Sequence, residues 1–105
     1  MEISVFDVKI SASGEFLDIK ETVLECDDHS QPVAELRETQ CIARKSEVHA
    51  ERVTDIRTNE VSTDLLVQGY VVCTFSEFGS QPFNKFDGES RADRVYDGIT
   101  RFMGF

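Results

Sequence analysis

The stretch from Asp64 to Ser76, DLLVQGYVVCTFS, carries the clearest strand pattern in the chain. Leu65, Val67, Val71, Cys73 and Phe75 share one parity, with Gly69 in the same row. Leu66, Gln68, Tyr70, Val72, Thr74 and Ser76 share the other. A period of two is the signature of a strand, and a second face that is partly apolar suits the middle of a sheet. The pattern predicts one central strand over 64–76, with Val71 in the core. Gly69 then marks a bend or a close backbone approach.

Toward the C-terminus, residues 77–89 read as a loop punctuated by Gly79, Pro82 and Gly88. A helix follows over 90–103. Ser90 is a suitable N-cap, and Asp93 stands where a capping-box acid stands. Ala92, Val95, Tyr96, Ile99, Phe102 and Met103 recur at helical spacing as one broad stripe. Gly98 weakens the helix by about 1 kcal/mol relative to Ala, and Gly104 suits its stop.

Toward the N-terminus, residues 2–11 alternate as a strand. The parity of its apolar residues changes between Val5 and Phe6, which implies a bulge there or a strand covered on both faces. Ser11 to Gly14 is a turn signal, so 15–25 is read as the second strand of a hairpin. Phe16, Ile19, Val23 and Leu24 would also make a helix stripe. Residues 33–45 are open in the same way: Ser30 and Pro32 resemble a helix start, but Ala34, Leu36, Glu38, Gln40 and Ile42 alternate, and the reading is strand. Residues 48–58 place β-branched side chains among charges, as in an edge strand, and Asn59–Glu60 is a turn. The whole is a single α+β domain over 1–105: an antiparallel meander of four to five strands with a C-terminal amphipathic helix packed on one face.

Composition bounds the function. The 105 residues include 20 Asp+Glu against 11 Lys+Arg, a net charge of -9, with 40% apolar residues. Eight Phe and many branched aliphatics argue for a core and against disorder. Nucleic acids and anionic membranes are bound by cationic surfaces, so neither is an expected partner. The acids are uneven: residues 1–31 hold eight acids and two bases, residues 32–58 five of each, and residues 59–105 seven acids and four bases. The odd set Cys26, Cys41 and Cys73 is a poor disulfide framework. With no signal-peptide pattern and no long apolar run, the expected location is the cytoplasm.

Catalytic signatures are missing. There is no G-x-S-x-G and no phosphate-binding glycine loop. Cys26 and His29 form a C-x-x-H pair that, with Cys41 and His49, would offer zinc four ligand types. Only the first pair has a usual spacing, so no metal and no cofactor is expected. Asp87–Gly88 fails as a calcium loop, because Phe83, Lys85 and Arg94 fall where acids are required.

Two features point to binding. Phe78, Phe83 and Phe86 load a loop with apolar surface, either as a lid on the core or as anchors for a partner. Glu15, Asp18, Glu21, Glu25, Asp27 and Asp28 form an acidic block suited to a basic partner. The leading expectation is a small acidic protein-interaction module, of inhibitor, immunity, chaperone or phage anti-host type. Its partner would be a basic or partly apolar protein, and the chain itself a homodimer using the Phe-rich loop or the edge strand. Phe78, Phe83, Phe86, Asp27 and Asp28 are the candidate contacts. The alternatives are a small-ligand or metal-binding domain with hydrolytic activity, and a structural subunit of a larger assembly.

Overall fold

The computed structural model describes residues 1–76 and 83–104. Strands β1 (Glu2–Ile10), β2 (Phe16–Cys26) and β3 (Pro32–Arg44) come first, and the 3-10 turn Lys45–Glu47 leads to β4 (Val48–Thr54). Strands β5 (Val61–Val67), β6 (Tyr70–Ser76) and β7 (Lys85–Phe86) follow, and helix α1 (Ala92–Met103) closes the chain. The described strands form two sheets, ordered β3-β2-β1-β7 and β4-β5-β6. All pairings are antiparallel except β1 with β7. The fold is α+β, with antiparallel sheets and a C-terminal helix against them, as the sequence implies.

The first hairpin follows from Ser11–Gly14. Gly14 takes φ 74, and the Ser11 N–H donates to the Phe16 carbonyl at 2.9 Å. The β1–β2 register then runs unbroken from Ile10↔Leu17 to Glu2↔Glu25. There is no bulge at Val5–Phe6. Instead β1 is partly covered on both faces, with Ile3 and Val5 on one and Phe6, Val8 and Ile10 on the other.

The stretch 64–76 departs from the sequence reading. It is a hairpin, not one strand. Gln68 and Gly69 both have positive φ, 55 and 84, the requirement of a two-residue hairpin turn whose twist matches its strands. Val71, expected in the core, is consequently 55% exposed beside the turn. With this break and with β7 in the expected loop, there are seven described strands rather than four to five, in two sheets.

Helix α1 packs on β4, β5 and β6. Its stripe Ala92, Val95, Ile99 and Phe102 is buried. The core joins this stripe to Leu65, Cys73 and Phe75 of the second sheet and to Val8, Leu17, Ile19 and Ala43 of the first. The N-cap is Arg91 without a side-chain cap bond, one residue after the expected Ser90. The first turn is tied to β5 by a bond that leaves its free N–H groups uncapped: the buried Thr63 hydroxyl donates to the Ala92 carbonyl at 2.7 Å. Gly104 ends the helix in the left-handed conformation, φ 95. A different tie joins the two sheets. The Asn84 side chain accepts from the Phe6 N–H at 3.0 Å and donates to the Thr74 carbonyl at 2.6 Å. Its amide thus spans β1 and β6.

Candidate interaction surface

Strand β3 is the outer strand of the first sheet. Residues 31–42 are all exposed, and on β3 only Ala43 is buried. Proteins usually blunt such edges, because unpaired backbone groups invite another strand. Here the bulges that interrupt such an edge are confined to one half. The β2–β3 register steps from Val23↔Arg37 to Leu24↔Glu35, then from Glu25↔Ala34 to Cys26↔Pro32. Leu36 and Val33 are therefore the extra residues of two successive bulges. Bulges bend a strand and re-aim the inserted side chain; Val33 is 64% exposed and Leu36 46%. From Arg37 to Arg44 the register is regular.

The turn before β3 is built by Asp27. Its Oδ1 accepts from the N–H groups of His29 and Gln31, each at 2.9 Å, and Ser30 takes φ 59. Asp27 is thus engaged with its own backbone. Asp28 is exposed at the apex with no partner among the described residues. Much of the acidic block is also occupied locally. Asp18 accepts from Gln40 at 2.6 Å, and Glu25 meets the N-terminal ammonium at 2.7 Å. Glu25 holds that ammonium above its ordinary pKa through this hydrogen bond.

Of the three loop phenylalanines, Phe78 lies outside the described residues. Phe83 is half-buried. Phe86 is 2% exposed and meets Phe75 edge-on, with ring centroids 6.4 Å apart and planes at 89°. Phe86 belongs to the core rather than to an exposed anchor set. Burying its ring against Phe75 and α1 removes the apolar area that an anchor would have to present.

A cleft of about 530 Å³ opens between the first hairpin, β7 and α1; Lys45, Phe86, Glu89, Arg94, Arg101 and Phe102 are among its walls. Lys45 stands 5.6 Å from the Phe102 ring centroid, and Arg94 meets Glu89 at 3.4 Å. Among the described residues, its walls contain no Ser, Cys or His.

The metal-ligand types do not converge. Cys26 is buried, His29 lies on the turn, Cys41 is exposed on β3 and His49 is exposed on β4. Among the described residues, no group of three His, Cys, Asp or Glu is arranged to hold an ion. The thiols differ sharply. Cys73 is buried, and desolvation, aided by Asp64, pushes its pKa up to about 12. Thiolate is the reactive form, so Cys73 stays protonated and inert. Alkylation of native protein near pH 8 is expected to modify Cys41 alone, with all three thiols reacting in denaturant. Mass spectrometry of tryptic peptides reads this directly; native labelling of Cys73 at the rate of Cys41 would contradict its burial.

Comparison with protein-family models, with curated proteins and with solved structures gives no match to this chain.

The β3 surface was hidden in the sequence because register is not written there. That Val33 and Leu36 stand at bulges follows only from the pairing with β2.

Proposed function

We propose that this chain is a protein-binding module whose docking site is the bulged end of the β2–β3 arm. Val33 and Leu36 act as apolar anchors, and Asp28 and Glu35 supply the surrounding negative charge. The partner this chemistry fits is a basic, partly apolar protein segment. The observation that carries the reading is the pair of exposed aliphatic side chains at consecutive bulges, beside an acidic turn. Apolar groups centred among charges are the usual layout of a binding patch, and complementary charge speeds and orients encounter. Inhibition or chaperoning of the partner would follow from occupying that segment.

The test uses a panel of fluorescent peptides that varies Lys/Arg and Leu content. Peptides rich in both are expected to bind best, with affinity falling as salt rises. Leu36→Ser is expected to weaken that binding at least about tenfold, as truncated anchors do. Asp28→Lys should weaken it more at low salt than at high salt. Both sites are exposed, so the melting temperature should hardly move. Equal binding of acidic and basic peptides, or a Leu36→Ser variant with unchanged affinity, would end this reading.

A further inference from the structure

The two bulges divide β3, and the regular half has a different property from the re-aimed end. We infer that Arg37–Arg44 is a self-pairing edge: a second copy of this chain joins it antiparallel, with Cys41 at the two-fold axis. The inference stands apart from the partner-binding reading, since it uses neither Val33 nor Leu36.

The argument begins with what makes this edge available. Arg37–Arg44 pairs with β2 without a register shift, and nothing among the described residues pairs with its other side. Outside Ala43 its residues are exposed. A regular edge of this length, without a bulge or Pro, is a template for another strand. Charge then selects the occupant. Residues 1–31 carry eight acids and two bases, so most approaches between two copies are repulsive. Residues 32–58 carry five of each. The β3 edge is thus where a second copy meets least opposition.

Symmetry and charge together fix the register. Two identical strands related by a two-fold axis normal to the sheet pair so that one residue lies opposite itself. Centring the pair on Arg37 or Glu38 sets like charges face to face. Centring on Thr39 or Gln40 leaves Glu38 opposite Gln40 or Ile42. Centring on Ile42 or Ala43 leaves Arg44 opposite Gln40 or Ile42. Centring on Cys41 alone places Glu38 opposite Arg44, and does so twice; Arg37 then falls opposite Lys45, which lies beyond the strand in the 3-10 turn. Opposite charges across a strand pair stabilise it and like charges destabilise it.

The side-chain faces agree with this register. Glu38, Gln40, Ile42 and Arg44 lie on one face of β3, opposite Thr22, Lys20, Asp18 and Phe16 of β2. In the joined sheet, Glu38 of one copy and Arg44 of the other would therefore meet on the same face. Gln40 would lie opposite Ile42, and Thr39 opposite Ala43. The two exposed Cys41 thiols would face each other across the axis.

Sedimentation equilibrium over a wide concentration range tests this, with circular dichroism confirming each variant's fold. The wild type is expected to show a monomer–dimer equilibrium and no larger species. Glu38→Arg and Arg44→Glu should each weaken the dimer at least about tenfold, because two attractive pairs become two repulsive ones. The double variant Glu38→Arg/Arg44→Glu restores opposite charges and should return to within about threefold of wild type, by the same arithmetic. A short bismaleimide should trap a covalent dimer of the wild type through Cys41, but little of either single charge variant. Leu36→Ser should dimerise normally, which separates this edge from the partner-binding end. A wild type that stays monomeric throughout overturns the proposal and leaves the edge open to a foreign strand. A dimer indifferent to both charge reversals, or one that the double variant fails to restore, overturns it equally.

Discussion

Replacing Phe86 by Ala is expected to lower stability by about 3–5 kcal/mol, as truncation of a well-packed buried aromatic does. Phe86 is 2% exposed and meets Phe75 edge-on. Its backbone is fastened on both sides: the Phe86 N–H donates to the Glu89 carbonyl at 2.8 Å, and the next N–H, of Asp87, donates to the Val8 carbonyl at 2.6 Å. The side chain cannot withdraw without undoing β7. On its other flank the ring lies against α1, where a Cβ at Gly98 would stand 2.9 Å from its Cε1. That contact makes Gly98→Ala a companion test with an informative sign. Helix propensity alone favours Ala by about 1 kcal/mol, while overpacking a fixed ring costs about 1–3 kcal/mol. The net expectation is a loss. Urea unfolding with m-values compared between variants measures both. A stabilised Gly98→Ala variant, or a Phe86→Ala loss below about 1 kcal/mol, would mean that the ring is not seated in the core.

The contrast between the first hairpin and 64–76 shows where sequence reading works and where it stops. Ser11–Gly14 advertises its turn with small polar residues, and β1 and β2 follow in register. The turn at Gln68–Gly69 is masked by its own strands. A two-residue hairpin turn should reverse the parity of the buried row, since Val67 lies opposite Tyr70. The register then shifts between Leu65↔Cys73 and Leu66↔Val71, which makes Val72 the extra residue. That bulge reverses the parity again. Leu65, Cys73 and Phe75 therefore share one buried side and one sequence parity, and the alternation runs straight through the turn. Two compensating irregularities read as none. The helix was easier, because its stripe needs only its own period: Ala92, Val95, Ile99 and Phe102 are all buried. Strand β3 sits between these cases. Its alternation was visible, but its bulges depend on pairing with β2, so neither the place of Val33 and Leu36 at bulges nor the regular edge beyond them could be read in advance. Asp27 was legible as an acid and not as the side chain that closes its own turn.

Ile99→Ala and Val71→Ala should separate widely, although the sequence pattern alone puts both residues in the core. Ile99 has no exposed surface and lies midway along the buried stripe of α1, within the core that also holds Leu65 and Phe75. Its truncation should cost about 2–5 kcal/mol, from lost burial and from the cavity left behind. Val71 is 55% exposed and lies opposite Leu66 next to the hairpin turn. Only part of its side chain leaves water on folding, so the cost should stay under about 1 kcal/mol. For a domain of about this size, 1 kcal/mol corresponds to roughly 4–8 °C in melting temperature. Differential scanning calorimetry should therefore show a fall of roughly 10 °C or more for Ile99→Ala and a few degrees at most for Val71→Ala. The pair discriminates between folds as well as between sites. A continuous strand through Gly69 would bury Val71 in the same row as Cys73 and make the two losses alike. A turn at Gln68–Gly69 leaves Val71 at the rim, and only the helix variant then loses a filled core position.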